Sequence, residues 1–140
     1  MKKGKISVLW YEAEVVHGNK IGGVLGYPTL NLSNPKLLAG FETGVYAANV
    51  KIADKIYQGV LYFGPRKVLS ETYNILEIFL LNFDLQVYGE KISFRLIQFI
   101  REVMDFKNFD SLRKQIEKDV NQAKSVFNRS AFISDPPLIK

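Results

Sequence analysis

Apolar positions recur along this chain with two periods. From Gly44 onward the period is two: Tyr46, Ala48, Val50 and Ile52 share one face while Asn49 and Lys51 fall on the other, as in a strand buried on one side. Residues 11–16 have the apolar and β-branched content of an earlier strand, and Leu30 and Leu32 resume the alternation. Asp54-Lys55 predicts a hairpin turn, residues 56–63 the next strand, and Gly64-Pro65 its end, with residues 66–74 a polar loop. Residues 75–83 form the most apolar run, Tyr88-Gly89-Glu90 turns the chain, and residues 91–100 put Ile92, Phe94 and Leu96 on one face. At least five strands therefore follow one another, joined mainly by short turns. The second period is helical: Leu112, Ile116, Val120, Ala123 and Phe127 are spaced four, four, three and four apart, behind Asp110 or Ser111 as N-cap. Residues 130–140 contain Pro136-Pro137 and predict an irregular tail. Strands in sequence with one helix at the end give a mainly β fold, a small antiparallel barrel with that helix packed on it.

Composition narrows the chemistry more than the fold. At 140 residues the chain suits one domain, expected over residues 1–129. The absence of Cys excludes disulfides, Cys-ligated zinc and thiol nucleophiles, and a single His excludes a multi-histidine metal site. Residues 1–16 hold no apolar stretch of signal-peptide length, and polar residues interrupt every later apolar run. The expectation is a cytoplasmic, monomeric protein with no membrane partner. The formal charge of +5 raises the question of nucleic acid. Residues 1–20 carry four Lys against two acids, residues 21–100 seven bases against six acids, and residues 101–140 eight against six. Nucleic-acid binders concentrate their bases on one face or arm, so no nucleic-acid partner is expected, and mild basicity suits a small anionic ligand.

Three features could carry chemistry. Gly18, Gly22, Gly23 and Gly26 lie within nine residues that end close to Pro28. Such a loop can turn its N–H groups toward a phosphate, but on the glycines alone it reads more simply as a flexible connection. Pro28-Thr29-Leu30-Asn31 points Thr29 and Asn31 to one side of an extended segment; their oxygens suit Mg²⁺ or a capped turn. Glu77 stands among Ile75, Phe79 and Leu81 by alternation, where a carboxylate is costly to ionise unless it is paired or lines a cavity. Burial would raise its pKa toward the range of a general base and a nearby cation would lower it; the structural alternatives are a partly exposed strand face or a pair with an arginine such as Arg95. His17, Arg101-Glu102, Phe106 and Phe109 carry weaker signals, the last two reading most simply as staple or core residues before the helix.

Taken together, the segments from about Glu12 to Phe127 resemble the ATP-dependent riboflavin kinase (flavokinase) family. The resemblance rests on VVHG at 15–18, LGYPTLNL at 25–32, GVYAANV at 44–50, Glu77 in a strand, YGEKI at 88–92, and IR-x4-F-x5-L-x2-QI-x2-D at 100–119. It implies a six-stranded, Greek-key type closed barrel with a C-terminal helix. It also implies transfer of the γ-phosphoryl group of ATP to the ribityl 5′-hydroxyl of riboflavin, giving FMN and ADP. Carried over by motif, Gly18, Gly22 and Gly26 cover the nucleotide, Thr29 and Asn31 serve the Mg²⁺-phosphate site, Glu77 accepts the hydroxyl proton, and Arg101 and Phe106 border the flavin. Many bacterial relatives add an adenylyltransferase domain, so a single-domain chain is expected to stop at FMN. Two departures stand out. Gly23 occupies the place of a basic residue usual six positions before the motif Thr, with Lys20 nearby as a substitute, and the family's second Pro-Thr element is absent from residues 64–68. The alternatives are a flavin- or nucleotide-binding relative with little kinase activity, and a barrel-type RNA or single-strand-binding module.

Overall fold

A computed structural model describes residues 9–18, 23, 25–81, 87 and 89–134, with side chains as far as Arg129. Six strands form a closed barrel: β1 (Tyr11–Val16), β2 (Leu30–Leu32), β3 (Gly44–Ile52), β4 (Lys55–Gly64), β5 (Ile75–Leu80) and β6 (Lys91–Glu102). Their order around the barrel is β1-β2-β5-β4-β3-β6, and every neighbouring pair is antiparallel. Closure satisfies the ladder groups that an open sheet would leave at its edges.

The two-residue period explains the interior. Tyr46, Ala48, Val50 and Ile52 from β3 meet Leu61, Ile78, Ile92, Phe94 and Leu96 inside the barrel, all buried. The β3–β4 hairpin turns at Ala53-Asp54 rather than Asp54-Lys55, because Ile52 pairs with Lys55. Both turn residues take positive φ, 50° and 71°, the conformation of a two-residue turn matched to strand twist. The run beginning at Ile75 leaves the sheet at Leu80, earlier than its apolar content predicts. Residues 67–69 form a short 3₁₀ turn within the expected loop.

The last strand builds the platform for the helix α1 (Phe109–Ser134). Two register shifts against β3 leave Ile97 and Ile100 without partners on that strand. Bulges of this kind re-aim side chains, and Ile97 and Ile100 join Val60 and Leu81 against Ala47, Ala123, Val126 and Phe127. Hence α1 lies on the outside of the barrel, over β3, β4 and β6. Its start is fixed by Asn108, whose Oδ1 accepts from the Ser111 N–H at 2.8 Å, so the cap precedes both expected candidates. The helix continues to Ser134, so five of the residues assigned to an irregular tail are helical. Next to the bulges, where the β3–β6 ladder ends, Gly44 has φ 150°, and a Cβ there would stand 2.1 Å from the Arg101 carbonyl oxygen. Only glycine lets these strands close where the cleft described next begins. No described helix is long and apolar enough to cross a membrane.

Candidate functional site

Between the outer barrel face and α1 lies a cleft of about 840 Å³ counted with its open mouth. Its floor is the outward face of β4 and β5, where Val60, Tyr62, Glu77 and Phe79 point away from the core. Leu112, Ile116 and Val120 of α1 form one wall. Leu25, Tyr27 and Thr29, approaching β2, form another, with the Tyr27 ring edge-on to Phe79 at 5.3 Å.

Glu77 is the polar centre of this floor. Pairing sets it opposite Asn31 on β2 and Tyr62 on β4, and the residue is 9% exposed. The Thr29 hydroxyl donates to Glu77 Oε1 at 2.5 Å, while Arg66 Nη1 stands 3.9 Å from Oε2. Burial pushes the Glu77 carboxyl above the usual range. The Thr29 hydrogen bond and the Arg66 charge pull it back, and Glu71 adds a smaller push upward. Across the ladder, burial pushes the Tyr62 hydroxyl up to about 12. It stays protonated and donates to the Pro65 carbonyl at 2.5 Å, fixing the turn that carries Arg66.

At the helix side, Arg101 and Asp119 both line the cleft and form a two-pronged pair with both N···O distances 2.8 Å. Gln115 also donates to Asp119, at 3.0 Å. The Phe106 ring centroid lies 6.0 Å from the Arg101 guanidinium carbon, which places the loop between β6 and α1 at the cleft mouth.

Of the residues singled out in the sequence, Thr29, Glu77, Arg101 and Phe106 come together on this cleft. Gly18 and Asn31 are not among its lining residues: Asn31 pairs with Glu77 across the β2–β5 ladder, and a Cβ on Gly18 would fall 2.3 Å from Asn31 Cγ, so the bare backbone seats the amide. Gly23 and Gly26 are exposed on the segment leading to Tyr27. Lys20 and Gly22 lie outside the described residues. Arg95 is not the partner of Glu77; its guanidinium sits 4.9 Å from the Trp10 ring centroid.

A model of the flavokinase family, described as riboflavin kinase, matches residues 8–127. The chain belongs to the riboflavin kinase family. It is 36% identical over 115 residues to a bifunctional riboflavin kinase/FMN adenylyltransferase of Haemophilus influenzae, covering 81% of this chain and 37% of that protein. It is also 36% identical over 108 residues to an RNA-binding riboflavin kinase, RibR, of Bacillus subtilis, covering 76% of this chain and 46% of that one. The chain thus spans less than half the length of these curated relatives. A solved riboflavin kinase from Trypanosoma brucei shares the fold, with TM-score 0.58 and 19% identity over 91% of this chain and 89% of that one.

Within this member of the riboflavin kinase family, sequence reasoning assigned no role to Arg66 or Tyr62, and marked Asp119 only as the end of the motif at 100–119. Arg66 and Lys67 line the cleft from the segment that lacks the second Pro-Thr element. No periodicity could have marked Arg66, which lies outside any strand or helix. Tyr62 was accessible to inference, since alternation along β4 opposes it to the core residues Leu61 and Phe63.

Proposed function

We propose that this chain is an ATP-dependent riboflavin kinase with Glu77 as its general base. The observation that carries the reading is a buried carboxylate on the cleft floor, held by the Thr29 hydroxyl at 2.5 Å. In the proposed reaction the riboflavin 5′-hydroxyl gives its proton to Glu77 as its oxygen bonds to the γ-phosphorus. The bond from that phosphorus to the β-bridging oxygen breaks, and ADP leaves with the electron pair. Desolvation makes Glu77 a stronger base than a surface carboxylate, and the Thr29 bond holds one oxygen in place so that the other is free to face the hydroxyl. Such transfer asks a protein mainly for alignment and charge neutralisation.

The donor set fits a Mg²⁺ ion bound chiefly through nucleotide phosphates. A hydroxyl that gives its proton to Glu77 keeps lone pairs for a cation, so Thr29, with the Asn31 amide oxygen, would hold the metal. No group of three or more His, Cys, Asp or Glu able to hold one occurs among the described residues. When bound, the ion would neutralise phosphate charge. The apolar walls contributed by Val60, Phe79, Ile116 and Val120 suit a flavin ring, with Phe106 and Arg101 at its edge. The reading is tested by incubating the protein with riboflavin, ATP and Mg²⁺ and following FMN. Turnover dependent on both ATP and metal is expected. Flavin binding without FMN formation would leave a non-catalytic binder instead.

A further inference from the structure

Among the described residues, Arg66 is a strongly anchored cation beside Glu77 that the reaction above leaves without a task. Its Nε donates to Glu71 Oε1 at 2.9 Å, and its backbone carbonyl accepts from the N–H groups of Leu69 and Glu71 at 3.0 and 3.2 Å. Both side chains of that pair are largely buried, 12% and 14% exposed. Tyr62 pins the preceding residue through its carbonyl. The guanidinium is therefore fixed at two levels, by its turn and by its partner. Yet Nη1 is closed off from solvent and has no hydrogen-bond partner.

A buried donor left unmade is expensive, and the anionic oxygen that Nη1 faces is Glu77 Oε2, 3.9 Å away. Roughly 1 Å of approach would make a charge-assisted bond of ordinary length. We infer that Arg66, anchored by Glu71, is a positioning residue that orients the Glu77 carboxylate from the side opposite Thr29. Thr29 fixes Oε1, Arg66 limits rotation of Oε2, and the carboxylate is aimed before substrate arrives. Through the enclosed Nη1, Arg66 acts on Glu77. The inference rests on the proposed role of Glu77 as base.

A double-mutant cycle tests it. Arg66→Met is expected to lower kcat by about 10- to 100-fold, the scale of an ångström of misplacement, with the KM values for riboflavin and ATP nearly unchanged. Arg66→Lys restores part of the rate. In a Glu77→Gln background, Arg66→Met should cost nothing further, since the group it aims is gone. Glu71→Gln, which keeps the guanidinium and loosens its anchor, gives a smaller loss of the same non-additive kind. It serves in place of Arg66→Met should that variant not fold. An equal loss in both backgrounds, an unchanged kcat, or a tenfold rise in the ATP KM alone would each overturn the inference. Inactive wild-type protein would instead sink the kinase reading. A crystal structure of Arg66→Met then decides the positioning role: the Glu77 carboxylate should turn away from Thr29, and an undisturbed carboxylate refutes it.

Discussion

Glu77 sits where two demands oppose each other. Burial favours its protonated form, whereas the base proposed for it must be ionised to accept a proton, and Thr29 and Arg66 restore part of what burial takes away. The folded protein consequently holds the Glu77 proton more tightly than the unfolded chain does. Below the ordinary carboxylate pKa both states are protonated, and burial costs little. As pH rises through that value and on to the raised one, the unfolded chain ionises first and stability falls. Glu77→Gln should therefore unfold at a higher temperature than wild type at pH 8, with the gap narrowing toward pH 4 in calorimetry. The same variant should turn over at least ~100-fold more slowly. Thr29→Val keeps the shape and loses the hydroxyl, so it should need more Mg²⁺ for half-maximal rate; an unchanged metal dependence would contradict the metal role. Glu77 was legible in the sequence because alternation surrounds it with Ile75, Phe79 and Leu81, a setting whose electrostatic cost is visible without coordinates. Arg66 was not, since it sits on an irregular turn held locally by Tyr62 and Glu71, which no periodicity marks.

At the level of elements, the strand pattern anticipated where the core would lie but not how the helix would meet it. The helical stripe predicts the buried positions Val120, Ala123 and Phe127. What seats them is the pair of bulges at Ile97 and Ile100, which alternation alone conceals because a bulge breaks the period it would be read from. The attachment is completed by Arg101 and Asp119, with side chains 15% and 5% exposed. Removing one partner of a buried pair strands the other, at a cost of about 3–5 kcal/mol. Arg101→Met should accordingly lower the denaturation midpoint strongly and loosen the N-terminal half of α1. Replacing both residues by apolar ones of similar size should recover much of that loss. A small effect of Arg101→Met on stability with a large one on flavin affinity would shift Arg101 from helix attachment to direct ligand contact. The position was anticipated as a flavin border, and the long-range pairing with a helix residue is what single-sequence reading could not supply.

For the whole molecule, the cleft is assembled from parts distant in sequence: the segment before β2, the β4–β5 floor, the turn at Arg66 and the first turns of α1. A ligand filling it binds only the folded chain, so it stabilises by mass action, about 2.7 kcal/mol at a hundred times its Kd. For a chain of this length that corresponds to a rise in Tm of roughly 8–10 °C. Riboflavin with Mg²⁺-ADP should produce such a shift, and should slow amide exchange at residues 25–29 and 103–108 while the β3–β4 ladder stays as protected as before. The net charge of +5 belongs to the same argument. Among the described residues, cations placed in pairs with acids, as Arg66 with Glu71, Arg101 with Asp119 and Arg113 with Asp110, have their charge neutralised locally. A single-stranded oligonucleotide should therefore leave Tm unchanged where the small ligands raise it. A steeply salt-dependent oligonucleotide shift with no response to flavin would instead favour single-strand binding. The two outcomes separate a cleft that grips one flavin from a surface that follows a polyanion, and the paired cations favour the cleft.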